Sequence, residues 1–375
     1  MERIRPFYPS DISEVAELHS RVFNSRVFHS RPHDEGRLGD LFNEIFFQNP
    51  WTQSPAVGQP VRIRDHHAPS LVYQDRGKII GFLGVVPRRM FVHDKPIWAA
   101  ISTQFMVEPD SRGTLAAVAL LKALFSGGYD LAITDGANSV SRKLWEALGG
   151  STAHLYAIHW VRPLRPVTYG ITALARSRGR VSKLNTIAHP LFRAVDRLTA
   201  GWTPFRTRNH GPAETDLDSR QLLACIAGFQ AECPLRTEYD ESSLDWILKL
   251  TIEKSPARKM RMVSLSDGPR TIGFYVYYLR RDLTAEVVQL SALVDSAGRV
   301  LDALFRDAWR HGAIAVSGRL SPLFMQELSD RHCSFRMGSP WTLVHSTDPE
   351  VLNIISRGEA ALSRLDAEWW MPFNL

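Results

Sequence analysis

Val107-Glu108-Pro109-Asp110-Ser111-Arg112-Gly113 joins an apolar stretch to a helix-forming run, Thr114–Phe125. Backbone N–H groups at a helix start have no intrahelical partner, and the helix dipole favours an anion there. Arg112 adds a cation beside them. This pattern suits the holding of a phosphate or pyrophosphate. A short apolar strand, Leu131–Thr134, then leads into Asp135, and Asn138 opens a second helix that ends at Gly149-Gly150. Asn138 suits a helix N-cap. Asp135 is either a turn residue before Gly136 or a general base.

The elements that must position these residues follow from periodicity. Arg3–Phe7 reads as a first strand, and Asp11 with Glu14 as a capping-box-like start to a helix reaching about Phe23. Leu41–Phe47 reads as a helical piece. Leu71–Gln74 and Ile79–Val86 form a hairpin around Asp75-Arg76-Gly77-Lys78, and a further strand covers Ile97–Val107. Thr114–Phe125 carries Lys122 as its only charge, which predicts a buried helix. Ser139–Leu148 is the next helix, and His154–Val161 is expected to close the sheet.

The second half repeats this order. Asp75–Phe82 aligns without gaps to Asp267–Phe274. Strand, helix, strand and helix follow at about Ala285–Val294, Arg299–Arg310, Ala313–Ser317 and Pro322–Leu328. Ser242–Ile252 is expected as the first helix of this copy and Trp341–His345 as its closing strand. Residues 162–236, with six prolines, read as a connector with helical pieces near Ile171–Ala175 and Leu191–Leu198. Three regions are therefore expected: 1–161, the connector 162–236, and 237–375 with an aromatic tail.

The motifs resemble those of the GNAT superfamily of acyl-CoA-dependent N-acyltransferases. That family carries V-x-P-x-x-R-G-x-G-x-G/A between its fourth strand and third helix, and Val107, Pro109, Arg112, Gly113 and Ala117 match it. Leu115 stands at a family glycine. Its N-x-x-A-x-x-L-Y-x-x-x-G-F pattern is similar to Asn138, Ser141, Leu144, Trp145, Gly149 and Gly150 in register, with Trp145 in place of the tyrosine. The resemblance implies an α/β fold of two tandem GNAT-like domains, each a twisted mixed β-sheet flanked by helices.

It further implies acetyl-CoA or another acyl-CoA as co-substrate, with the pantetheine arm along Phe105, Met106 and Val107. The backbone of Arg112, Gly113, Thr114, Leu115, Ala116 and Ala117 would hold the pyrophosphate, and Asn138 would meet the cofactor. The family's base is a strand glutamate, but Ile97–Val107 contains no carboxylate. Indole has no proton to give near neutral pH. Asp135 is the candidate substitute base, and Ser141 or water the candidate acid for the thiolate. The second copy has only Asp295-Ser296-Ala297-Gly298-Arg299 at the equivalent loop, so it is expected to wall the acceptor site and leave the cofactor to the first.

Bulk properties bound the function. The 375 residues are 44% hydrophobic and 22% charged, as in a soluble globular protein. No apolar run approaches a membrane span, and the first residues lead into no signal-peptide core, so a cytoplasmic location is expected. Three cysteines, Cys225, Cys233 and Cys333, have no metal-ligand spacing, and no metal site is expected. Residues 161–210 hold ten basic residues and one acid, leaving 35 basic against 38 acidic elsewhere. That basic stretch, within residues 162–210, is a solvated face, a contact for anionic membrane, or a contact for an acidic partner. It lacks a regular aromatic platform, which argues against nucleic acid. The tail Asp366–Phe373 is either a packed anchor or an acceptor-binding edge. The expected function is acyl transfer, acetyl first, from acyl-CoA to an amine of a small-molecule or glycan acceptor. The alternatives are a Fem-type aminoacyl transferase on a cell-wall or glycan precursor, and a non-catalytic binding protein on the same scaffold.

Overall fold

The computed structural model describes residues 3–23, 35–53, 70–111, 115–177, 211–253 and 260–373. The strands are β1 Ile4–Pro6, β2 Leu71–Asp75, β3 Lys78–Val92, β4 Lys95–Val107, β5 Leu131–Ala137, β6 Ser151–Thr152, β7 Ile158–Pro163 and β8 Ala213–Asp216. Then come β9 Leu235–Thr237, β10 Met260–Asp267, β11 Arg270–Leu279, β12 Thr284–Ala292, β13 Ala315–Arg319, β14 Ser334–Met337, β15 Trp341–His345 and β16 Ala360–Ala361. The α-helices are α1 Ile12–Phe23, α2 Glu35–Phe46, α3 Pro50–Gln53, α4 Ala116–Phe125, α5 Ser139–Ala147 and α6 Pro166–Ser177. They continue with α7 Ser219–Gln230, α8 Glu241–Glu253, α9 Ala297–Arg310, α10 Met325–Asp330 and α11 Pro349–Arg357.

Two mixed sheets result. The first runs β1-β2-β3-β4-β5-β15-β6, with β9 added beside β3 and β16 beside β9. The second runs β8-β10-β11-β12-β13-β7-β14. The orders correspond strand for strand, which makes the repeat structural. The central contact of each sheet is parallel, β4 with β5 and β12 with β13, and β16 adds a further parallel contact beside β9. The hairpins also correspond. Gly81 and Gly273 occupy equivalent places, and a Cβ there would meet Leu120 of α4 at 3.1 Å and Val300 of α9 at 2.5 Å. Both glycines let the helix after the central strand lie close on its sheet.

The sixth strand of each sheet comes from the other half of the chain. β15 pairs antiparallel with β5, and β7 pairs antiparallel with β13. The expectation that His154–Val161 closes the first sheet and Trp341–His345 the second is therefore corrected. Both strands form, and they are exchanged. Each is an apolar run of similar length, so pattern alone does not say which edge it joins. Ala213–Asp216 and Ser219–Gln230, read from sequence as connector, are the first strand of the second sheet and the helix after it. β8 is exposed along its whole length and offers no apolar alternation.

The layers follow from burial. Leu120, Leu121, Leu124 and Trp145 of α4 and α5 pack on one face of the first sheet. Val300, Leu301, Leu304 and Phe305 of α9 do the same for the second. The two inner faces share one core: Phe82, Val86 and Ile101 of the first sheet join Phe274, Val276 and Tyr278 of the second, with α1, α2, α8 and the C-terminal segment between. Trp370 is fully buried there and stacks edge-on against Trp246 at 5.2 Å. The tail is thus a packed anchor. Asp11 sits in a turn ahead of α1, where it accepts from Tyr8 N at 2.9 Å and pairs with Arg5. Glu14 accepts from Ile79 N, so the expected Asp11–Glu14 capping box does not form. No helix among the described residues is long and apolar enough to cross a membrane. The predicted helical piece Leu191–Leu198 and most of the basic stretch lie outside the described residues.

Candidate active site

The site begins where two neighbouring strands part. β4 and β5 pair only at Ala99–Leu131, Ala100–Ala132 and Ile101–Ile133. β4 then continues to Val107 and β5 to Ala137 without further pairing between them. On its other side β4 stays bonded to β3, with an irregularity between Phe82–Met106 and Gly84–Thr103. Gln104 sits in this bulge with φ of 50°, in the left-handed region. A bulge re-aims the backbone that follows it, here Phe105 and Met106. Gln104 is held by His19 of α1, whose Nε2 lies 3.0 Å from its Oε1.

The cofactor-loop residues divide. Arg112, Gly113 and Thr114 lie outside the described residues. Leu115 is the N-cap of α4, 73% exposed, and its own side chain does not cap the helix. The dipole of α4 at its start, beside a parted strand pair, favours an anion. Ala116 is fully buried against the sheet and Ala117 half-buried. Across the gap, Asn138 caps α5 and accepts from the N–H groups of Val140 and Ser141, each at 2.9 Å. Ser141 is half-buried in the same first turn. Trp145 is 1% exposed and packs edge-on against Phe125 at 5.0 Å, so it is a core residue of the α4–α5 layer.

Asp135 is buried at the end of β5 with both carboxylate oxygens engaged. Oδ2 pairs with Arg319 at the end of β13, and Oδ1 accepts from Glu368 N at 3.0 Å. Burial lowers the Arg319 pKa to about 10, opposed by Asp366 and Glu368, so it stays a cation near neutrality. In this arrangement Asp135 anchors the second sheet and the tail to the first. Neither oxygen is open to a substrate proton.

Sequence reasoning missed Glu368. Its carboxylate accepts from Gly136 N at 2.9 Å and from the Thr134 hydroxyl, just past the last β4–β5 pair. It is 5% exposed. A Cβ on Gly136 would stand 2.7 Å from Glu368 Oε1, so the glycine makes room for the carboxylate. The tail is fixed by further bonds: Tyr239 OH donates to Asp366 at 2.7 Å, and Arg88 Nη1 donates to Leu365 O at 2.6 Å. Nothing in the sequence ties position 368 to positions 134–136. The one signal was a glutamate in an aromatic tail dense enough to be buried. Among the described residues no cluster of His, Cys, Asp and Glu could hold a metal ion.

No family model matches the sequence, and no curated protein matches it. Solved structures do. The chain is similar to a GCN5-related N-acetyltransferase from Anabaena variabilis, at 10% identity and a TM-score of 0.56, over 92% of this chain and 73% of that one. One from Kribbella flavida gives 12% identity and 0.53, over 92% and 72%. Eis1 from Mycobacterium abscessus gives 13% identity and 0.52, over 93% and 74%. With two corresponding sheets, each parting at its central parallel pair, the chain has the fold of the GCN5-related N-acetyltransferases, GNAT.

Proposed function

We propose that the chain transfers an acyl group from acyl-CoA to an amine, with the thioester held in the gap between β4 and β5. The observation that carries this reading is the parting of those strands after Ile101 and Ile133, with a backbone bulge on one side and the start of α4 beyond it. A gap of this kind takes an extended amide-bearing arm, and backbone N–H groups near Phe105–Val107 can bond the thioester carbonyl as it becomes an oxyanion. The pyrophosphate would lie at the start of α4, with Arg112 and the backbone of Gly113–Ala117.

Glu368 takes the part that Asp135 is denied. It is a carboxylate fixed beside the gap by Thr134 and Gly136. An attacking amine forms the C–N bond to the acyl carbon and gives its proton to Glu368. The C–S bond then breaks, and the thiolate takes a proton from water or from Ser141. Proton transfer to a positioned group contributes roughly 10²–10⁴-fold. Holding the two reactants together supplies much of the rest.

The test is a thermal-shift titration with acetyl-CoA, longer acyl-CoAs and free CoA. Binding to the native state adds RT ln(1 + [L]/Kd), roughly 2.7 kcal/mol at a hundredfold excess over Kd. A saturable shift that shrinks in Arg112→Ala supports the reading. Glu368→Gln should keep the shift and lose turnover. No shift with any CoA species, in a folded protein, removes acyl-CoA as donor and favours the aminoacyl-donor or binding-scaffold alternative.

A further inference from the structure

The second sheet parts in the same way as the first. β12 and β13 pair at Thr284–Ala315, Ala285–Val316 and Glu286–Ser317, and β12 then runs on to Ala292 without β13, still paired with β11 on its other side. A cleft of about 260 Å³ occupies this second gap, between the remaining edge of β12, the end of β13 and the strap 358–364. Trp160, Phe229, Leu290 and Phe324 supply much of its apolar lining.

Three of its polar side chains, Gln230, Arg319 and Arg364, carry buried atoms without a hydrogen-bond partner. Gln230 is 5% exposed, lines the cleft, and its Oε1 has no hydrogen-bond partner. Arg319 has a side chain 4% exposed, lines the cleft, and its Nε and Nη1 are likewise unpartnered. The two guanidinium groups of the lining are paired, and Glu359, the remaining charged residue of the lining, is exposed to solvent. Arg319 pairs with Asp135, and Arg364 with Glu286. The cleft therefore offers hydrogen-bond donors and an acceptor with little charge to neutralise. An uncharged planar amide satisfies both, its C=O accepting from Arg319 and its N–H donating to Gln230. Leaving such buried groups unmatched is what lets a site reject ligands that lack the complementary group.

The cleft also adjoins the first gap. Arg319 forms its wall, and Asp135, the partner of Arg319, accepts from the backbone N–H of Glu368. A ligand amide at Arg319 thus places an amine on the adjacent carbon near the Arg319–Asp135 pair, which stands between the cleft and Glu368. Resting on the acyl-transfer reading, we infer that the second gap is the acceptor pocket and that it takes an α-amino amide with an apolar side chain: an amino-acid amide or the N-terminal residue of a short peptide.

Isothermal titration of the full chain, without any CoA species, tests this with three probes. Phenylalaninamide has amine, amide and apolar body. N-acetylphenylalaninamide lacks the amine, and 2-phenylethylamine lacks the amide. The two amides should bind, with 2-phenylethylamine roughly tenfold weaker or more, the size of a buried hydrogen-bonding group left unmatched. Gln230→Leu should weaken both amides by about tenfold and leave 2-phenylethylamine unchanged. Leu290→Trp should fill the cleft and abolish amide binding, and both variants should keep their melting temperature and acyl-CoA shift. Equal binding of amide and amide-free probes, no binding by the folded protein, or unchanged amide binding in both variants overturns the inference. Amide binding without an acyl-CoA shift keeps the pocket and removes the transferase reading. An acyl-CoA shift without amide binding does the reverse.

Discussion

Gly136→Ala is the most informative single substitution. The three heavy atoms nearest an added Cβ all belong to Glu368: Oε1 at 2.7 Å, Cδ at 3.0 Å and Oε2 at 3.5 Å. Backbone does not obstruct the methyl group, so the carboxylate must move. Moving it breaks the 2.9 Å bond from Gly136 N and disturbs that from the Thr134 hydroxyl. A hydrogen bond to a charged group contributes about 1.5–3 kcal/mol. Replacing glycine by alanine returns about 0.4–1 kcal/mol through the unfolded chain. The net expectation is a loss of about 1–2 kcal/mol. In a Glu368→Ala background the obstructing atoms are gone, and Gly136→Ala should be neutral or slightly stabilising. Urea unfolding of the four proteins therefore should give a coupling of roughly 2 kcal/mol. Equal costs of Gly136→Ala in the two backgrounds, within about 0.5 kcal/mol, would refute the placement of Glu368 against β5. If acyl transfer is observed, Gly136→Ala should lower kcat toward the level of Glu368→Gln.

Three further outcomes follow from the same geometry. Asp135→Asn should cost about 3–5 kcal/mol in urea unfolding because it leaves Arg319 buried without its partner, and Asp135→Asn with Arg319→Met should recover much of that loss. Asn138→Ala should cost about 1 kcal/mol as a lost cap, and should shrink the acyl-CoA thermal shift if Asn138 also meets the cofactor. Burial and the nearby Arg364 depress the His159 pKa to about 4, below an unfolded value near 6.5, so between these limits the unfolded chain binds more protons. Stability should be fully present above about pH 6.5 and fall as pH drops toward 4, by at most about 3 kcal/mol, a slope that His159→Gln should flatten.

The start of α4 after β4 and the internal repeat were legible because they are local. A strand, a turn and a helix of fixed spacing carry the first, and one hairpin repeated in order carries the second. α1, α4, α5 and β15 stand close to where their apolar periodicity places them. What the sequence hid is what depends on distance along the chain. Asp135 reads as a turn residue or a base because Arg319, its partner, lies 184 positions away. Glu368 meets Gly136 over 232 positions, and no local pattern links a tail glutamate to a strand glycine. β8 was hidden for another reason: a four-residue edge strand exposed throughout has no hydrophobic signature.

The exchanged strands bear on how the chain can come apart. Because β7 is donated to the second sheet and β15 to the first, a chain cut after α6 yields two pieces that each hold a strand with no sheet to join. Each sheet is left with a bare inner edge at β5 or β13, the kind of edge that pairs with whatever strand it meets. The halves look like two copies of one domain, yet they are not two independent folding units. Their interface is written into the hydrogen-bond ladders, so the two gaps keep their shape only while both halves of the chain are folded together.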